Sequence, residues 1–134
     1  MKKKEFFKEG LKFDTQKLRF DLISTTALYE LARIYSYGAI KYEDRNMEKG
    51  MRWSRVFGAL QRHSWAFWHG EDLDDESKLY HMAHAMWCCA TLLDYLENHR
   101  EYDDRPYKPR SAGHYSTLPV NPGKMKRQYK EKKK

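Results

Sequence analysis

SRVFGALQRHSWAFWHGEDLDDESKLYHMAHAMWCCATLLDYLEN, residues 54–98, decides the fold. It reads as two helices folded back on each other about an acidic turn centred near Leu73. Ser54 is placed to cap the first, Val56, Phe57, Leu60, Ser64 and Phe67 form its stripe, and Gly70 ends it. Ser77 or Asp75 can cap the second, in which Leu79, Met82, Ala83, Met86, Trp87, Ala90 and Leu93 make a broad apolar face. His63 lies ten residues before the centre of the turn, and His81 and His84 lie eight and eleven after it, so an antiparallel hairpin sets all three at one level. His81 and His84, at i and i+3, share a face. Imidazoles among Leu, Met, Ala, Trp and Cys need polar partners, which makes this level the place to look for a site.

Upstream, Ser24, Thr25 and Thr26 offer N-caps for a helix carrying Ala27, Leu28, Leu31, Ala32 and Tyr35 and ending at Gly38, with Glu30 as its one acid. The fold class expected is therefore all-α: a small helical domain built on an antiparallel hairpin. Three helices are too few to cover the Leu79–Tyr95 helix on every side, so completion by a homo-oligomer is expected. The chain divides into an arm over residues 1–23, a helical domain over 24–99, and a surface segment with a basic tail over 100–134. In the arm, Leu11, Phe13, Leu18 and Phe20 are expected to pack on the body.

The net charge of +7 sits at the ends. Residues 1–9 hold four Lys against two Glu, residues 124–134 hold seven basic groups against Glu131, and the body between them is close to neutral. The tail KMKRQYKEKKK reads as a solvated end with at most weak attraction to nucleic acid. No stretch approaches a membrane span, and no apolar run follows the first lysines as in a signal peptide. Adjacent Cys88 and Cys89 point apart on a helix and build neither a disulfide framework nor a zinc knuckle, which fits a reducing cytoplasm.

AIKYEDRNMEKGMRW, residues 39–53, loses the helical period and reads as a loop. Lys41, Arg45, Lys49 and Arg52 are suited to phosphates, Asn46 to a base edge, and Trp53 or Tyr42 to stacking; the alternative is a connector whose charges pair with one another. Arg62, next to His63, is a further candidate for phosphate. His63, His81 and His84, with Glu71, Asp72 and Asp74 in the turn, comprise ligand types for a divalent metal. Two other readings stay open: a hydrogen-bonded polar core, and imidazoles acting on substrate without metal.

Three blocks, KLRFDLISTTALYELARIYSYGAIKYEDRN, EKGMRWSRVFGALQRHSWAFWHGEDLDDES and LYHMAHAMW, resemble the phage family of dATP/dGTP diphosphohydrolases. These MazZ-like proteins are related to the MazG all-α nucleoside triphosphate pyrophosphohydrolases. The resemblance covers Lys17 to Leu96 and implies a MazG-like fold and cleavage of a purine deoxynucleoside triphosphate, dGTP or dATP, to the monophosphate and pyrophosphate in the cytoplasm of an infected host cell. With that activity as the first hypothesis, Lys41, Arg45, Asn46, Trp53 and Arg62 are expected as substrate contacts, Glu71 and His63 as catalytic groups, and His63, Glu71, His81 and His84 as holders of a metal: magnesium, manganese, or a transition ion if histidine-ligated. A MazG-type cage places Glu-Glu-x-x-Glu and Glu-x-x-Asp where this chain has Arg62, His63 and Ala66, then His81 and His84. Imidazole in place of these oxygen donors predicts a different metal or none. The other class of function expected is a non-catalytic protein that sequesters a nucleotide.

Overall fold

The computed structural model describes residues 9–107. Three α-helices make up the fold, α1 (Thr25–Lys41), α2 (Trp53–Trp68) and α3 (His81–Asn98), with single 3-10 turns at Phe20–Leu22, Asn46–Lys49 and Arg100–Tyr102. The described residues contain no strand, only one bridge between Leu73 and Tyr80 across the hairpin turn. The all-α expectation holds.

Helix α3 is the axis of the molecule. Along one side it meets α2, where Trp53, Val56, Cys88 and Tyr95 are buried together under Met51, Leu60 and Leu92. Along another it meets α1, through Ile34, Leu79 and Ala83, with Tyr37 and Trp87 alongside. Helices α1 and α2 each pack on α3 and scarcely touch one another, which leaves a cleft between them.

The helix ends show what local sequence specifies and what it does not. Ser24 caps α1, its Oγ accepting from the Ala27 amide at 3.2 Å. Gly38 does not end this helix: the Tyr42 amide still reaches the Gly38 carbonyl at 2.9 Å, and α1 runs on to Lys41. Gly70 does stop α2, with φ at +95° and its amide on the Phe67 carbonyl. Ser54 is not the cap of α2 but lies inside its first turn, where its amide and hydroxyl both donate to the Asp104 carboxylate fifty residues away. Neither Ser77 nor Asp75 caps α3, which starts only at His81, whose amide is taken by the Asp72 carbonyl.

The buried stripe of α2 is rotated from the expected one. Trp53, Val56, Leu60 and His63 face α3, whereas Phe57 and Phe67 are exposed, because Trp53 at the first position fixes the helix in the core. The loop between α1 and α2 is tied down from α3, the Tyr95 hydroxyl donating to the Met47 carbonyl at 2.6 Å. Gly50, at φ +85°, lies so close to Tyr102 and His99 that a Cβ would fall against the tyrosine ring and 2.9 Å from His99 Nδ1. The arm departs from expectation: Leu11, Phe13, Leu18 and Phe20 are all more than two-thirds exposed, because the short turn at Phe20–Leu22 buries no side chain.

Candidate functional site

The three histidines meet. His63 on α2 and His81 at the start of α3 place their Nδ1 atoms 2.9 Å apart, and the His63 ring stacks on His84 at 4.4 Å with 5° between planes. Counting from the turn succeeds because both helices are regular and the bridge at Leu73–Tyr80 fixes their register. His81 is buried, and His63 and His84 are half-buried.

The turn supplies the polar partners. Asp74 Oδ2 accepts from both the amide and the hydroxyl of Ser77 at 2.9 Å, and the Ser77 Oγ lies 2.7 Å from His84 Nε2. Partial burial opposes ionisation of Asp74, but the two Ser77 bonds and the neighbouring imidazoles outweigh it and hold its pKa low. Burial, reinforced by His84 and His81, lowers the His63 pKa to about 4, and burial lowers that of His84 as well. Both rings are therefore neutral near pH 7, each with one nitrogen lone pair, His63 Nδ1 sharing its hydrogen bond with His81 and His84 Nε2 with Ser77. His63, Asp74 and His81 each bring one donor atom to within 4.8 Å of the others.

Glu71 stands behind this cluster. Its exposed carboxylate approaches His81 Nε2 at 3.5 Å, short of a full hydrogen bond, and that nitrogen is otherwise buried without a partner. Glu71 does not line the cleft.

The cleft beside the cluster encloses about 1330 Å³ and is open on one side. Lys41, Arg45, Asn46 and Arg62 line it as anticipated, and so does Tyr42. Trp53 does not. It is 4% exposed, its Nε1 donates to the His99 carbonyl at 3.1 Å, and the Arg105 guanidinium lies 4.7 Å from its ring centre, so no face is left for a base. Several cations at the cleft are already paired. Lys41 binds Glu76 at 2.6 Å, which raises its pKa to about 12, Arg45 binds Glu48 at 2.6 Å, and Lys49 binds Glu43. Arg55 and Arg62 also line the cleft and form no ion pair among the described residues. The sequence reading passed over Arg55, although Arg55, Ala59 and Arg62 fall at i, i+4 and i+7 on one side of α2. It also passed over Ser77 as a partner for His84.

A helical hairpin with a neutral histidine cluster and an ionised aspartate, opening into a cleft lined by Arg55 and Arg62, defines a small all-α domain. Residues 8–105 match the family described as dATP/dGTP diphosphohydrolase, N-terminal, and the chain belongs to it. A dATP/dGTP diphosphohydrolase of Salmonella phage PMBT28 is 33% identical over 104 residues, covering 78% of this chain and 36% of that protein. The chain thus spans little more than a third of the length of this relative. No solved structure is significantly similar.

Proposed function

We propose that this domain binds a purine deoxynucleoside triphosphate, dGTP or dATP, in the cleft between α1 and α2 and hydrolyses it to the monophosphate and pyrophosphate. The observation that carries this reading is the row of Arg55 and Arg62, unpaired on α2, leading to the neutral imidazoles of His63 and His84. The family and the named activity of the phage relative support it. Arg55 and Arg62 hold phosphate oxygens and offset the charge gathering on the departing pyrophosphate. Water forms the new bond to the α-phosphorus as the bond to the bridging oxygen breaks, and its proton passes to a neutral imidazole. Tyr42 and Asn46, both on the cleft wall, face the base. Lys41 and Arg45 join the phosphates only by exchanging Glu76 and Glu48 for them. The chain is also proposed to self-associate, since Leu28, Ile40 and Leu93 on α1 and α3 stay exposed in a single copy.

A second reading, nucleotide sequestration without turnover, is favoured by one feature: the positions of the MazG-type acids are held here by Arg62, His63, Ala66, His81 and His84. Incubating the full chain with each deoxynucleoside triphosphate, while measuring heats of binding and released pyrophosphate, separates the two. Turnover of dGTP or dATP supports the first reading, tight binding without product supports the second, and neither binding nor product overturns both. The basic tail at residues 124–134 lies outside the described residues. A weak contact with nucleic acid there is a separate proposal, tested by salt-dependent DNA binding of the full chain against one lacking the tail.

A further inference from the structure

The geometry points to His99 as a positioning residue for the cleft: from outside it, together with Tyr95 and Tyr102, it holds the loop from Arg45 to Gly50 that forms part of the cleft wall. The inference rests on the proposed function for its ligand, but the hold on the loop is tested without one.

The loop has little of its own to keep it in shape. Arg45 and Gly50 bracket it with φ of 58° and 85°, both in the left-handed region, where an arginine stays only if its surroundings hold it there. Its ion pairs, Arg45 with Glu48 and Lys49 with Glu43, are exposed and local, the kind that contributes little. The contacts that fix it come from the end of α3 and the turn after it. Met47 packs on the core around Tyr95, whose hydroxyl donates to the Met47 carbonyl at 2.6 Å. Gly50 lies against the Tyr102 ring and His99 with no room for a Cβ. Arg45 to Gly50 line the cleft, whereas Tyr95, His99 and Tyr102 do not.

His99 is the joint between these contacts. Its carbonyl accepts from Trp53 Nε1 at 3.1 Å, its ring stands edge-on to Tyr95 with centres 5.0 Å apart, and its Nδ1 lies 3.0 Å from Glu101 Oε1. On the loop side the Glu48 carbonyl faces the ring. A neutral imidazole donates one N–H and a charged one donates two, so only the charged ring joins the Glu101 carboxylate to the loop carbonyl. The other groups around it agree in sign or bring no charge. Asp94 and the C-terminal end of α3 also favour the charged ring, Tyr95 has its own pKa pushed up to about 12 by burial, Tyr102 faces it as a ring 6.1 Å away, and α2 brings only the indole of Trp53. Glu101 first, then Glu48 and Asp94, outweigh burial and raise the His99 pKa above its ordinary value. The hold on the loop is therefore complete below about pH 6.5 and is lost as pH rises through the raised pKa.

The test is amide hydrogen exchange of the full chain, followed by NMR from pH 6 to pH 9 and expressed as protection relative to an unstructured peptide. The reporters are the Glu48 and Gly50 amides, which donate to the Arg45 and Met47 carbonyls, with the middle of α1 as internal reference. The wild-type loop should lose about tenfold or more of its protection as pH rises. His99→Gln should show the low value at every pH, and Glu101→Gln should bring the loss to lower pH, with α1 unaffected in each. Loop protection in His99→Gln equal to that of the wild type overturns the inference, and so does a wild-type loop whose protection ignores pH. Where His99→Gln loses α1 protection as well, Glu101→Gln decides, because Glu101 is exposed: an unmoved loop profile there overturns the inference. Calorimetry with dGTP at pH 6.5 reads the consequence, binding about fivefold or more weaker in His99→Gln. Equal affinity in the two chains, with the loop loosened, overturns the positioning role. A loop that loosens as expected in a chain that binds no dGTP in either form leaves the hold standing and sinks the proposed function instead.

Discussion

At the scale of single residues, His63 shows how burial sets chemistry. Its pKa falls to about 4 chiefly through burial, and that of His84 falls for the same reason. The sign of the stability effect follows. Between about 4 and the ordinary value near 6.5 the unfolded chain binds protons that the native chain refuses, so stability is complete above that window and is lost as pH falls through it. His99 acts in the opposite direction, since its bond to Glu101 raises its pKa, and what it contributes is lost as pH rises above 6.5. The half-buried pair outweighs the solvent-screened one, so thermal melts of the metal-free chain should show a falling Tm from pH 7 to pH 4.5. His63→Gln should flatten that slope. That these histidines meet was legible in the sequence, because helical period and distance from the turn are local quantities. Whether Asp74 or Glu71 faces inward was not, because five acids share one turn and its conformation comes from Ser77 and Asp72 contacts that no periodicity encodes.

At the scale of elements, α2 is organised from both ends of the chain. Trp53 anchors it in the core, and Asp104 supplies the cap that its own sequence suggests for Ser54. A carboxylate at a helix N-terminus accepts otherwise unpaired amides and complements the dipole, so Asp104→Ala should lower the Tm by several degrees without moving the His63–His81 pair. Such a cap, fifty residues away in sequence, cannot be read from local pattern, and the same holds for Trp53, whose aromatic character suits stacking and burial equally. Helix α2 and the loop beside the cleft make different predictions about nucleotide. Arg62 has no ion pair to break, whereas Arg45 must leave Glu48. Arg62→Ala should therefore weaken dGTP binding by about tenfold or more, the scale of a charge-assisted hydrogen bond, and Arg45→Ala by less. Calorimetry on both variants decides it, and the reverse order would place the triphosphate on the loop instead of α2.

At the scale of the whole molecule, the single copy leaves much apolar surface in water. Ile40 is 87% exposed and Leu93 66%, and the arm adds Leu11 and Phe13. Full burial of a large apolar side chain is worth roughly 1.5–3 kcal/mol, so covering several of these on both copies offsets an association cost of about 4–15 kcal/mol. Light scattering at micromolar concentration should give a mass at least twice 16.2 kDa, and a mass near 16.2 kDa would contradict self-association. The three-helix architecture was legible from period, with the Ser24 cap and the Gly70 stop; the cleft was not, because it exists only where α1 and α2, both seated on α3, fail to meet. Among the described residues no helix is long and apolar enough to cross a membrane. The central claim is that this cleft breaks the bond between the α and β phosphates of a purine deoxynucleotide. Phosphorus NMR of dGTP with the full chain, in the presence of a divalent metal, reads it most directly. The account predicts signals of dGMP and pyrophosphate at equal rates, reduced in Arg62→Ala; dGDP with free phosphate, or dGTP unchanged and unbound, would contradict it.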